Sequence, residues 1–508
     1  VTSSEERFAK LLELPAAEES FRDTSVRGGA YAFFGEAVDF VLRLGSVIVL
    51  ARLLVPEHFG LISMVTAVTT IGERFKDLGL MSATIQSPAL DHRQSSTLFW
   101  VNLVVGGAIL GAFVCLAYPL AWFYGDPRLT AITLALASTF LWSGAANQHF
   151  ALLRRALRYR EIALIQLGAS ALSIALAVLL ALEGFGYWAL VAREITRSAA
   201  LAAGAWICFP WLPGLPARGT GVRRMLRFGI DITAVNVLHL LSQSFDQMLI
   251  GKVFGPHPLG LYRQGFQLAL TPMNQVSYPI RVVAESALSR LQDDSVRYRS
   301  YYCGILKTVS LATIPVGLFL AVYSEEIIAV ALGSKWQEAS AVFRILAIAA
   351  CLRPAAETAG AVMVSRGLSR RFLWLGVLSA ATLVGFFIAG LRFGPEGVAS
   401  AHIWALWLLL VPKLYWSFKQ TPVQVRDFFS SITSSAVAGL VMTTALVLLK
   451  AGRFFSAASS ILVAGAVVAP VVFIATFLVV PGGKADLFGL VKTVTGTFGG
   501  RNLISFFD

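Results

Sequence analysis

The sequence predicts an all-α integral membrane protein of about fourteen transmembrane helices. Two six-helix lobes related by a parallel pseudo-repeat, plus two C-terminal helices, make up that number. Three observations point there. Of 508 residues, 56% are hydrophobic and 14% charged, and the mean hydropathy is +0.70; a soluble chain would be near half apolar and about a quarter charged. The excess falls in long runs, such as 98–121, 163–182, 372–390 and 461–480, each near the ~20 residues that cross a ~30 Å hydrocarbon core. The net charge of +13 is distributed by position: Arg154, Arg155, Arg158 and Arg160, then Arg218, Arg223, Arg224 and Arg227, then Arg290, Arg297 and Arg299, then Arg366, Arg370 and Arg371 occupy alternate short loops. Intervening loops around Gly125, Gly184, Glu325 and Gly394 carry few cations. That asymmetry is the positive-inside pattern, which puts both termini in the cytoplasm and assigns the cations to topology rather than to nucleic acid.

Along the chain, 1–28 is polar and mixed in charge, with no apolar core behind a basic start, and reads as a cytoplasmic segment rather than a signal peptide. The first lobe, 29–209, holds expected spans at 29–54, 59–81, 98–121, 129–150, 162–182 and 186–209. A cytoplasmic linker, 210–225, carries Pro210, Pro213 and Pro216. The second lobe, 226–418, holds spans at 226–251, 259–284, 301–323, 339–362, 371–391 and 396–418. Two more, 427–449 and 457–480, precede a cytoplasmic tail. Turn signals fall between spans at Val55-Pro56, Gly125-Asp126-Pro127, Gly255-Pro256 and Gly394-Pro395. Cys115, Cys208, Cys303 and Cys351 sit one to a span, without a CxxC pair, and read as small packing residues. No cofactor or metal motif is present.

The lobes repeat. ARLLVPEHFGLIS from Ala51 and GKVFGPHPLGLYR from Gly251 align at an offset of ~200 residues, matching Arg52 to Lys252, Pro56 to Pro256, Gly60 to Gly260 and Leu61 to Leu261. Arg27 meets Arg227 and Gly29 meets Gly229 in the same register. An even number of spans per copy makes the repeats parallel, and transporters place substrate at such repeat interfaces.

ARLLVPEHFGL (51–61) and DLGLMSATIQ (77–86) resemble the opening of polysaccharide exporters of the oligosaccharide-flippase type, in the superfamily that also holds MATE-type multidrug exporters. FGIDITAVNVLHLLSQSFDQMLIGKVFGPHPLGLYRQG (228–265) is similar to the family's second-lobe opening. The resemblance covers about 29–418. It implies a bacterial inner-membrane transporter that flips undecaprenyl-diphosphate-linked oligosaccharide for lipopolysaccharide, capsule or exopolysaccharide, with a polysaccharide polymerase and chain-length proteins as possible neighbours.

A charge at a helix centre costs roughly 2.5–3.5 kcal/mol, so charged side chains within spans face a bundle interior or water. Glu36, Asp39 and Arg43 share one face of the first span, either as a phosphate contact with ion- or proton-binding carboxylates or as a self-neutralising cluster. Arg193, Glu194 and Arg197 lie together in the sixth. One glutamate leaves a positive surplus suited to a diphosphate, unless Glu36 or Asp39 completes the pairing. Glu73, Arg74, Lys76 and Asp77 lie near a span end, where snorkelling accounts for the cations. In the second lobe the candidates are Asp246, Arg263 and an Arg353–Glu357 pair. Arg52 and Lys252 read as helix-end caps, and His402 as packing. Gly107 and Gly111 form a GxxxG pattern that permits close helix approach, and Pro272, Pro279 and Pro315 are expected to kink their spans.

Arg43, Arg193, Arg197, Arg263 and Arg353 thus form the expected cationic cavity, and Glu36, Asp39, Asp77, Glu194 and Asp246 its carboxylates. The alternatives are a MATE-like ion-coupled exporter of small molecules, which calls for a more acidic cavity, and a membrane polymerase or ligase, for which the outer loops are too short. No GxxxxGK[ST] loop for nucleotide hydrolysis occurs.

Overall fold

The computed structural model describes residues 5, 8, 11, 18–76, 79–87, 90–217, 244–452, 457–480 and 483–484. They form helices joined by short turns and fall into two compact units, Val1–Gly260 and Leu261–Asp508.

In the first unit the helices are α1 (Glu18–Leu53), α2 (Pro56–Phe75), α3 (Leu80–Gln86), α4 (His92–Tyr124), α5 (Arg128–Arg155), α6 (Tyr159–Leu182), α7 (Tyr187–Cys208) and α8 (244–254). One expectation changes here. The first helix begins at Glu18, ahead of the span expected over 29–54. The second span, expected unbroken over 59–81, stops at Phe75; Gly79, at φ +68°, then caps the start of the short α3. Packing runs α1 on α6, α6 on α7, α5 on α7 and α4 on α5. The α4–α5 contact is glycine-mediated, but not by Gly107 and Gly111, around which a Cβ would meet nothing within 4 Å. Gly106 and Gly144 do it instead: a Cβ there would lie 2.6 Å from the Phe140 carbonyl oxygen and 2.8 Å from that of Asn102.

The second unit holds most of α9 (Pro256–Arg290), then α10 (Ser295–Val322), α11 (Ser324–Ala331), α12 (Ala339–Ser365), α13 (Ser369–Gly390), α14 (Gly394–Phe418), α15 (Val425–Ala451) and α16 (Ala458–Val479). Its core gathers Tyr298, Tyr302, Leu306, Val362, Leu414 and Phe428, all buried. Arginines stitch its helix ends together. Arg299 grips Asp427 through two bonds of 2.8 and 2.6 Å, and Arg371 donates to the Trp416 and Lys419 carbonyls at 3.2 and 2.7 Å. Arg155 does the same in the first unit, donating to the carbonyls of Thr84 and Ser87 at 2.8 and 2.7 Å. Several of the loop arginines that set the charge asymmetry therefore also close helix C-termini.

The two units share a local structure. Between α5 and α6, Ala156 lies at φ −80°, ψ 7°, Leu157 at φ 54° and Arg158 at φ −82°, ψ 52°. Between α12 and α13, Arg366 lies at φ −93°, ψ 6°, Gly367 at φ 69° and Leu368 at φ −85°, ψ 43°. The backbone hydrogen bonds match as well: Leu157 to Arg154 and Arg158 to Leu153, as Gly367 to Val364 and Leu368 to Met363. This is one helix-ending turn made twice.

Among the described residues, eight stretches are long and apolar enough to cross a membrane. This is a multi-pass membrane protein. Of the longer helices, α1, α2, α7 and α9 fall outside that group; they are the ones that carry Asp39, Glu73, Arg193 and Arg281.

Candidate substrate site

The charged residues of the first unit converge on one carboxylate. Parallel helices α1 and α6 approach closely because Gly28 and Gly35 leave no Cβ: one there would lie 2.9 Å from the Tyr159 ring and 2.7 Å from the Ala163 Cβ. That approach brings Asp39 of α1 against Ser170 of α6, whose hydroxyl donates to Asp39 Oδ1. Asp39 is 2% exposed. Arg43, one turn along α1, places Nε 2.9 Å from Asp39 Oδ2 and donates from Nη2 to Glu36 Oε1 at 2.9 Å. Its Nε is close to Asp39 without the alignment of a hydrogen bond. Arg197 of α7 reaches the same Asp39 oxygen at 3.6 Å and donates to Ser170 Oγ at 3.5 Å. Arg193 pairs with Glu194 at 2.7 Å. Three helices thus meet at a buried acid, while the arginines keep accessible surface, 43% for Arg43, 31% for Arg197 and 25% for Arg193.

The positive surplus expected around Arg193 and Arg197 is absent from this cluster. Glu194 takes Arg193, and Asp39 takes Arg197, so three arginines face three carboxylates. The second unit differs. Arg353 of α12 donates to Glu357 Oε1 at 3.0 Å, and Lys413 of α14 and Arg281 of α9 lie close enough to act on the same carboxylate. Arg353 is the cation that bonds this acid, with Lys413 and Arg281 in its wider surroundings. Arg353 and Glu357 keep 31% and 36% of their side-chain surface accessible.

A family model described as polysaccharide biosynthesis protein matches residues 49–341, more than half of the chain. The chain belongs to that family. Among curated relatives, it is 23% identical over 353 residues to the lipopolysaccharide biosynthesis protein WzxC of Escherichia coli (strain K12), covering 68% of this chain and 71% of that protein. It is 23% identical over 423 residues to the succinoglycan biosynthesis transport protein ExoT of Rhizobium meliloti (strain 1021), covering 75% and 85%. Among solved structures, the lipid II flippase MurJ in an inward closed conformation superposes with a TM-score of 0.72 at 14% identity, covering 89% of this chain and 98% of that one. An inward-facing multidrug resistance MATE family transporter gives 0.59 at 14%, covering 75% and 94%. The fold is the one these transporters share.

The remaining sequence candidates have local settings. Asp246 on α8 is wholly buried, with Oδ1 accepting the Gln247 backbone N–H at 2.8 Å. Arg263 is half-buried on α9. Asp77 lies outside the described residues. Glu73 pairs with Lys76, which also donates to Ser143 at 3.5 Å. His402 packs among Phe387 and Phe266 with Tyr262 Oη 3.3 Å from its Nε2. Lys252 caps a neighbouring helix rather than its own, bonding the Phe123 carbonyl at the end of α4. Sequence reasoning missed Ser170, Arg281 and Lys413. A signal did exist for one of them: Lys413 follows Pro412 inside a span, as Arg353 precedes Pro354. Among the described residues no group of three His, Cys, Asp or Glu side chains is placed to hold a metal ion.

Proposed function

We propose that this chain flips lipid-diphosphate-linked oligosaccharide units across the bacterial inner membrane for surface polysaccharide synthesis. The reading takes fourteen spans, two six-helix lobes (29–209 and 226–418) joined by 210–225, two further helices and a tail over 419–508, and cytoplasmic termini. The lobes work by alternating access. Arg43, Arg193 and Arg197 of the first lobe, with Arg353, Lys413 and Arg281 of the second, hold the diphosphate and glycan while the isoprenoid tail stays in lipid.

The observation that carries this reading is the clustering of partly accessible arginines on membrane helices, each held beside a carboxylate. An inert span would not retain groups that cost several kcal/mol each to insert. Guanidinium N–H groups left accessible beside Asp39 and Glu357 suit phosphate oxygens, which they bind in bidentate geometry. The relatives named for lipopolysaccharide biosynthesis and for succinoglycan transport fit an anionic, lipid-linked cargo better than a cationic drug. Replacing Arg193 and Arg197 together with alanine should abolish polymer export while the protein still inserts and accumulates. Export at the wild-type rate in that double variant removes them from the cargo site.

A further inference from the structure

The sequence repeat matches Pro56 to Pro256 and Gly60 to Gly260, and in the structure these four residues meet, all within the first compact unit. A Cβ on Gly60 would lie 1.7 Å from the Pro256 carbonyl oxygen; one on Gly260 would lie 1.9 Å from the Pro56 carbonyl oxygen and 3.2 Å from the Gly60 nitrogen. Each glycine receives the other copy's proline, the reciprocity of a twofold contact. The opposing atoms are backbone, so no rotamer change makes room for a side chain on either glycine. Alongside, the Lys252 ammonium bonds the Phe123 carbonyl and lies 4.9 Å from the centre of the Phe123 ring. A Cβ on Gly251 would lie 3.0 Å from Tyr124 and 3.2 Å from Met64 Cγ. Met64, 1% exposed, is sealed behind the contact.

We infer that the two Pro-x-x-x-Gly segments form a gate at the outer ends of their helices, closed here, that parts when cargo is released. The inference rests on the alternating-access reading above. Contact between bare helix backbones holds by fit: dispersion falls steeply with a gap of half an ångström to one ångström, and parting the two glycine backbones strands no charge of their own. Both properties suit a surface that must close tightly and open often. Since both carbonyls and both α-carbons come from equivalent positions of the repeat, one methyl group on either side wedges the gate apart.

The test uses the full chain in native membranes, with its four cysteines replaced and Met64→Cys added. Labelling by a membrane-impermeant maleimide should be slow, and should quicken by about tenfold or more, as for a shifted two-state equilibrium, when Gly60→Ala or Gly260→Ala is introduced. Gly107→Ala and Gly111→Ala, at positions where a Cβ meets nothing within 4 Å, should leave the rate unchanged. A second arm keeps Gly60 and Gly260 intact: Met64→Cys with Gly251→Cys should cross-link under mild oxidant, stop export and recover it on reduction. Labelling indifferent to both glycine variants, no cross-link in folded protein, or undiminished export by the cross-linked protein each overturns the gate. Because labelling is read without cargo, a working gate in a protein that exports something else would sink the flippase reading alone.

Discussion

Asp39 is held by Ser170, Arg43 and Arg197 at a depth where water does not reach it. Asp39→Asn keeps a partner for the serine but removes the charge that both arginines face. Those arginines keep some water, so the expected stability loss is moderate, about 1–3 kcal/mol, read as a lower melting temperature in detergent. Export should fall by more than tenfold, because the two guanidinium groups lose their common anchor. Ser170→Ala should cost about 1.5–3 kcal/mol, the worth of a hydrogen bond to a charged group. The face shared by Glu36, Asp39 and Arg43 was legible because helical period alone sets it. Ser170 was not: one serine among alanines and leucines carries no mark of its partner 131 positions away. At the α4–α5 turn, Arg128 bonds Asp126 and holds its carboxyl below the ordinary 3.8. A depressed carboxyl stabilises the fold above its unfolded pKa and loses that contribution as pH falls through the folded value. Asp126→Asn should therefore lower the melting temperature at pH 7 and flatten its decline on acidification below pH ~4.

Helix positions were largely readable, because long apolar runs leave the backbone no other way to satisfy its hydrogen bonds in lipid. What each helix presents to its neighbours was not, since periodicity gives a face without saying which neighbour meets it. The α4–α5 crossing shows the difference. The GxxxG spacing picks Gly107 and Gly111, whereas the crossing uses Gly106, one residue and about 100° around the helix. Gly106→Ala or Gly144→Ala should destabilise by about 1–3 kcal/mol through forced separation of the helices, while Gly107→Ala and Gly111→Ala should leave the melting temperature unchanged or raise it slightly. The extension of α1 back to Glu18 and the stop of α2 at Phe75 were equally hidden, because neither follows from hydropathy.

At the scale of the molecule, the sequence suggests a repeat in a few matched residues, and the two units also share a helix-ending turn, at 156–158 and 366–368. One of these turns uses glycine and the other accepts a leucine at positive φ, so the same shape is made by different residues. Which of the two readings of Arg193 and Arg197 holds was not legible in the sequence, since pairing across helices decides it. Exposure was also unreadable span by span. The α13–α14 hairpin turns one apolar face outward, with Trp374, Trp404, Trp407 and Trp416 each about half exposed. A face of that kind belongs against lipid. Brominated acyl chains should quench a large share of the intrinsic fluorescence, and Trp404→Phe with Trp407→Phe should reduce that quenching; unquenched tryptophans would mean that another protein covers the hairpin.

The helix that carries Asp39 runs 36 residues without interruption, roughly 54 Å at 1.5 Å per residue, against a hydrocarbon layer of ~30 Å. A rod that long cannot stay wholly submerged. Its far end therefore works as a pointer: any tilt imposed near Asp39 is magnified where the rod leaves the bilayer. A spin label at Glu18 would report from the water on an event taking place inside the membrane.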